Sequence, residues 1–261
     1  MKISACIDMM FSNMEFNERI KAVSDCGLNA IEFWKWTNKD IDEVCKLKNE
    51  LGLSFSVFNI DCKDEKLSYD LSRGILNKGR VEEFLSAINE SIPVYKKLGA
   101  NAMIVLVGET LDDISYEEQI ENVYKCLKAA APVAEENGVT LVVEPLNDID
   151  RKNYFMPYAK PLFEILDKVD SPNIKMLYDI YHQNMMGDFS MEEIKKNIHR
   201  IGHFHVADCP GRHEPGTANV DYVKILSEIS KLKFNGYIGL EYRATVPDCD
   251  TFGFLKEIKN A

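Results

Sequence analysis

The chain has 261 residues, 46% of them hydrophobic, and carries 31 Lys and Arg against 42 Asp and Glu, a net charge of −11. That is too apolar for a disordered chain, and so acidic a balance argues against nucleic acid or an anionic membrane as partner, because phosphate attraction needs clustered cations. No apolar run approaches the ~18 residues that a membrane span requires.

The opening MKISACIDMMF is interrupted at Asp8 and reads as a first strand, not a signal peptide. Short β-rich runs then alternate with helical patterns along the whole chain. The runs are ISACI (3–7), AIEFW (30–34), SFSVFNI (54–60), AMIVLV (102–107), TLVVE (140–144), IKMLYD (174–179), HFHVA (203–207) and YIGLE (237–241). Between them lie amphipathic stretches such as IDEVCKLKNELG (41–52), where Ile41, Val44, Cys45 and Leu51 share one helical face. Gly27, Gly52, Gly99 and Gly138 stand where helices should stop. Residues 61–78 and 208–220 show no clear helix or strand and read as long loops. Eight βα units of this size predict an α/β fold, a (β/α)8 TIM barrel formed by residues 1–261 as one domain. No Gly-rich phosphate loop supports the alternative, an open doubly wound sheet. Seven scattered cysteines without a C-x-x-C pair predict reduced thiols and a cytoplasmic protein, with neither disulfide framework nor zinc knuckle.

The last four runs carry chemistry-bearing residues at or near their ends. Glu144, Asp179, His205 and Glu241 lie 35, 26 and 36 residues apart, each gap about one βα unit. In a barrel they emerge at one rim, the rim where barrel enzymes build their sites. Three acids and a histidine cannot sit there dry and unpaired, because like charges raise one another's pKa steeply. One divalent cation resolves the conflict, and oxygen-rich ligation suits Mg²⁺ or Mn²⁺, with Co²⁺ or Zn²⁺ as alternatives. His182, three residues past Asp179, falls near the site. Arg212, in the loop PGRHEPGT (210–217), is a candidate clamp for a substrate carboxylate. Glu32 ends an earlier run and reads as a rim group, with Trp34 and Trp36 as cavity wall or packing; His199 and His203 read as structural.

VVEPLN (142–147), LYDIYHQNMMGDF (177–189), IGHFHVADCPGRHEPGT (201–217) and YIGLEYR (237–243) closely resemble the hydroxypyruvate isomerase family, as do NKGRVEEF (77–84) and AIEFW. That family lies within the xylose-isomerase-like TIM barrels, the sugar phosphate isomerase/epimerase superfamily. The resemblance implies a divalent-metal isomerase of the aldose–ketose type, interconverting hydroxypyruvate and tartronate semialdehyde. It implies Glu144, Asp179, His205 and Glu241 as metal positions and Glu144 with Glu241 as the proton-transfer pair. Three departures stand out. The usual hydroxypyruvate isomerase has Gln where this chain has His205, whereas ketose epimerases have His. Residues 218–222 lack a Gly and a Glu of the usual pattern, and KWTN (35–38) replaces a Pro- and Tyr-bearing segment. The alternatives are therefore a 2-oxotetronate isomerase or ketose 3-epimerase using the same site, then a sugar-acid dehydratase. The repair endonucleases on this barrel use more His ligands and a basic face, which five His and −11 do not supply. A small keto acid or ketose is the expected partner, with a homo-oligomer left open.

Overall fold

Period-two alternation along each strand places one set of side chains inside a ring and the other against surrounding helices. The computed structural model describes residues 1–258. Its strands are β1 (Lys2–Cys6), β2 (Ala30–Glu32), β3 (Ser54–Phe55), β4 (Val57–Asn59), β5 (Ala102–Leu106), β6 (Leu141–Glu144), β7 (Ile174–Asp179), β8 (Ile201–Val206) and β9 (Tyr237–Leu240). All pair in parallel in the order β3-β2-β1-β9-β8-β7-β6-β5-β4. The two ends of that order are consecutive in the chain, joined at Ser56. Ser56 N–H donates to Ile31 O at 3.0 Å, and its own carbonyl accepts from Ala102 N–H at 3.1 Å, so one residue bridges both neighbours and closes the barrel. The expected third strand is thus two short strands meeting at a corner, which makes nine segments from eight runs.

Helices α1 (Phe16–Asp25), α2 (Ile41–Glu50), α3 (Glu65–Arg73), α4 (Val81–Leu98), α5 (Tyr116–Asn137), α6 (Ala159–Val169), α7 (Ile180–Met185), α8 (Met191–Asn197), α9 (Tyr222–Lys231) and α10 (Phe254–Ile258) fill the crossovers and the C-terminal segment. Their starts follow local chemistry. Asp40, Asp64, Ser115, Asp179, Ser190 and Asp221 each cap a helix by accepting a backbone N–H of its first turn. Residues 61–78, expected to be loop, instead hold α3 and a 3₁₀ turn at Leu76–Lys78, because Asp64 caps a nucleus that buries Leu71. Residues 208–220 do run without helix or strand.

Inside the ring, Val57, Ala102, Ile104, Val142 and Leu177 form an apolar plug under one half of the rim. The other half is polar, built from Ser4, Glu32, Ser56, His203 and His205. Outward residues such as Met103, Val143, Tyr178 and Phe204 pack beneath the helices. The cysteine expectation needs one correction. Cys26, at the end of α1, is disulfide-bonded to Cys249 with their Cα atoms 5.2 Å apart, while Cys6, Cys45, Cys62, Cys126 and Cys209 are free. A separation of 223 residues leaves no local pattern from which that pairing could be read. Among the described residues, no helix is long and apolar enough to cross a membrane.

A candidate metal and proton-transfer centre

Inward alternation carries Val142 to Glu144, Leu177 to Asp179 and His203 to His205, so three neighbouring strands deliver a ligating group to one rim. Glu241 follows β9 directly and completes the set. Glu144, Asp179, His205 and Glu241 are all buried, and one ligand atom from each lies within 4.8 Å of the others. His205 Nδ1 is 3.4 Å from Glu144 Oε1 and 3.4 Å from Glu241 Oε2. That nitrogen is buried and makes no hydrogen bond. An orphaned imidazole nitrogen facing converging carboxylates is the donor set of a divalent cation; ligands ~2.1 Å from such an ion lie roughly 3–4 Å apart. The residues fit a metal.

Each ligand is held from behind. Glu32 Oε1 lies 3.0 Å from His205 Nε2, and Glu32 Oε2 accepts from Ser4 Oγ (2.6 Å) and Ser56 Oγ (2.7 Å) while facing His203 Nε2 at 3.2 Å. A carboxylate behind a ligating histidine fixes its ring and tautomer. Gly239, opposite His205 in the register, makes room for this pair, since a Cβ there would sit 2.4 Å from Glu32 Oε1. Asp179 accepts from the N–H groups of Tyr181 (2.7 Å) and His182 (3.2 Å), which aims its second oxygen inward. Glu241 accepts from Trp34 Nε1 at 2.7 Å and is paired with Arg212.

His182 is placed more closely than its sequence position implied. Asn147 N–H donates to His182 Nδ1 at 3.2 Å, and Asn147 Nδ2 approaches the same nitrogen at 2.6 Å. Asn147 Oδ1 is engaged by Ile149 and Asp150 N–H, so Nδ2 is a donor. Nδ1 must therefore accept, and the ring is neutral with its proton on Nε2, 3.4 Å from Asp179 Oδ2. Burial also pushes the His182 pKa down. Arg212 adopts φ +56° and lies over the Tyr181 ring at 5.2 Å. Its loop is tied down by Asp208, whose carboxylate accepts the N–H groups of Cys209, Gly216, Ala218 and Val220 at 2.8–3.0 Å.

The electrostatics split the two glutamates. Burial raises the Glu144 pKa to about 7 against the pull of His205. Burial acts the same way on Glu241, but His205 and Arg212 outweigh it and hold that carboxyl below its usual range. His205 is held well above its usual value, because Glu241 and Glu32 overcome the cost of burial. Glu144, Glu241, His182 and Arg212 open together onto a cavity of about 480 Å³.

All six expected site residues therefore meet at one rim. Asn147 and Trp34 go beyond that expectation by positioning His182 and Glu241, while Glu32, expected behind the site or at the core rim, lies behind His205. His203 is structural as expected, and His199 lies away at a second cavity. Trp34 lines the site cavity, whereas Trp36 is packed away with its Nε1 on Ser91 Oγ.

Residues 20–256 match the family described as Xylose isomerase-like TIM barrel. The chain is 28% identical over 244 residues to hydroxypyruvate isomerase of Escherichia coli (strain K12), covering 93% of each protein. It is also 28% identical over 257 residues to 2-oxo-tetronate isomerase of Cupriavidus necator, covering 98% of this chain and 97% of that protein. Among solved structures, AP endonuclease, family 2 from Brucella melitensis superposes with a TM-score of 0.88 at 24% identity, covering 98% of both chains.

Proposed function

The chain belongs to the xylose isomerase-like TIM barrel family, and from that premise we propose that it is a divalent-metal-dependent isomerase of small 2-keto acids, with hydroxypyruvate and tartronate semialdehyde as the first pair to test. One observation carries the reading. A ligand set of Glu144, Asp179, His205 and Glu241, with His205 Nδ1 left without a hydrogen bond, borders a cavity that also holds a neutral histidine and an arginine. The relatives named as isomerases of hydroxypyruvate and of 2-oxo-tetronate support the same class. The endonuclease likeness, at 24% identity, speaks to the fold alone.

Moving a carbonyl by one carbon removes a proton beside it and returns one to the neighbouring carbon, through an enediolate whose charge needs stabilising. A bound Mg²⁺ or Mn²⁺, held by Glu144, Asp179, His205 and Glu241, supplies Lewis-acid polarisation of the substrate oxygens. Glu144 and Glu241, on β6 and after β9, are the two carboxylates that can take the C3 proton of hydroxypyruvate and return one at C2. Without a cation their environments differ, burial raising Glu144 while His205 and Arg212 hold Glu241 low; a bound cation would hold both ionised between proton transfers. His182 presents Nε2–H as a neutral donor to a substrate oxygen, and Arg212 pairs with the substrate carboxylate while balancing Glu241.

A second reading keeps the site and lengthens the substrate, to 2-oxotetronate or a ketose undergoing 3-epimerisation. His205 and the size of the cavity favour it. Product analysis of metal-stripped and metal-reloaded protein tests the class. An isomer of unchanged mass, formed only with Mg²⁺ or Mn²⁺ present, supports it; loss of water from the substrate makes the protein a dehydratase instead.

A further inference from the structure

A three-carbon acid of seven heavy atoms occupies only a small part of about 480 Å³, and the lining beyond the metal ligands has its own chemistry. Lys35 belongs to that lining, half-buried, with its ammonium bonded only to Ser68 Oγ (3.0 Å) and Ser68 O (3.4 Å). Its neighbour Lys39 is matched by Asp8 at 3.1 Å, but Lys35 has no carboxylate among the ion pairs of the described residues. Arg151, on the same lining, donates to Ser72 O at 3.0 Å, and its buried Nε makes no hydrogen bond. The nearest acid, Glu109, lies 3.6 Å from that Nε and is shared with Arg73. Asp150, also on the lining, is engaged by Tyr181 Oη (2.7 Å) and Asn147 Nδ2 (3.1 Å). Lys35 is therefore left without a carboxylate among the described residues, and Arg151 only shares Glu109 with Arg73, in a protein of net charge −11. Asn59 Oδ1, buried on the same lining, has no partner either, which leaves an acceptor for a substrate hydroxyl.

We propose that Lys35, with Arg151, seats an anionic terminus of the substrate at the end away from the reacting carbons. The preferred substrate is then a hydroxy-carbonyl compound of at least four carbons ending in a carboxylate or a phosphate ester. Lys35 is a specificity residue in this scheme and takes no part in moving the proton. It lies in KWTN (35–38), where the chain departs from the pattern it otherwise resembles. The inference rests on the isomerase reading for the word substrate, but the seat itself is defined by binding alone.

The test is calorimetric binding to the Mg²⁺-loaded protein of four unreactive probes in charged and neutral pairs, erythronate against erythritol and glycerol 3-phosphate against glycerol. Lactate, an α-hydroxy acid of only three carbons, is the control. At least one anion is expected to bind roughly tenfold or more tightly than its neutral partner, on the scale of a charged hydrogen-bonded contact. Lys35→Met should erase that preference, Lys35→Arg should retain it, and lactate binding should move with neither. The tighter of the two anions identifies carboxylate or phosphate as the terminus. Equal binding within both pairs overturns the proposal, as does a Lys35→Met loss shared by lactate. A fall in melting temperature with the anion preference intact also overturns it, since Lys35 would then merely tie its loop to Ser68. Failure of metal-dependent turnover with the anion preference intact would remove the isomerase reading and leave the seat standing.

Discussion

Glu241 is touched by an indole N–H, a guanidinium and an imidazole, and this crowding makes it the more informative of the two glutamates to change. Glu241→Gln keeps its volume and removes its charge, so kcat should fall ~10²–10⁴-fold, the usual range for losing a positioned acid or base, while the far-UV spectrum stays unchanged. Glu32 reaches the cation only through His205. Glu32→Gln should weaken Mn²⁺ binding by ~10–100-fold, read by calorimetry. Glu144 and His205 together set the pH dependence. The Glu144 pKa near 7 lies above the ordinary value of 4.5, so the fold favours the protonated carboxyl. That contribution to stability is full below about 4.5 and is lost as pH rises through about 7. A cation needs Glu144 ionised and His205 neutral, and both hold their protons above their ordinary values, so Mn²⁺ affinity should fall as pH drops from 8 to 5, with proton release on binding. Affinity that is flat from pH 5 to 8 would contradict the assignment. Of this residue-scale detail, the convergence of Glu144, Asp179, His205 and Glu241 was legible because each stands at or near the end of a strand run. Asn147 and Lys35 were not, because their partners lie on other loops or helices and leave no mark in local spacing, and Trp34 was legible as cavity wall or packing but not as the donor to Glu241, 207 residues away.

At the scale of elements, the strands supply position and the loops supply the cations of the site. Strand periodicity fixed which residues face inward, so an eight-unit barrel and its functional rim could be inferred before any contact was known. The corner at Ser56 could not be inferred, since ring closure depends on hydrogen bonds to β2 and β5 and does not alter the apolar pattern of SFSVFNI. The helix over Glu65–Arg73 was missed for a related reason: only Ser68 and Leu71 of its nine residues are buried, so its apolar face is narrow. The loop after β8 stands on Asp208, which accepts four backbone N–H groups within residues 209–220. Asp208→Ala leaves those donors unsatisfied and should destabilise the protein by about 1–3 kcal/mol, read by urea unfolding. Because Arg212 rides on this loop, kcat/KM should fall as well, while cation affinity, set by the strands, stays near the wild-type value.

For the whole molecule, binding and stability are linked through four ligands drawn from β6, β7, β8 and the end of β9. An ion that holds all four stabilises the folded barrel by mass action, about 2.7 kcal/mol at one hundred times its Kd. The melting temperature should therefore rise with Mn²⁺ concentration, and Asp179→Asn should remove most of that rise. The acidic balance was legible at this scale, and net −11 set the expectation of a small substrate held by local cations instead of a phosphate backbone. The Cys26–Cys249 pair was not, because only the completed fold brings α1 beside the C-terminal segment. Proton movement by Glu144 and Glu241 within a metal-dependent site leaves its signature in D₂O. Metal-stripped protein reloaded with Mg²⁺ is given hydroxypyruvate and followed by proton NMR, with Glu241→Gln alongside. The account predicts metal-dependent formation of tartronate semialdehyde carrying solvent deuterium at C2, and almost none with the variant. Product formed without solvent deuterium, or formed equally well by Glu241→Gln, would contradict it.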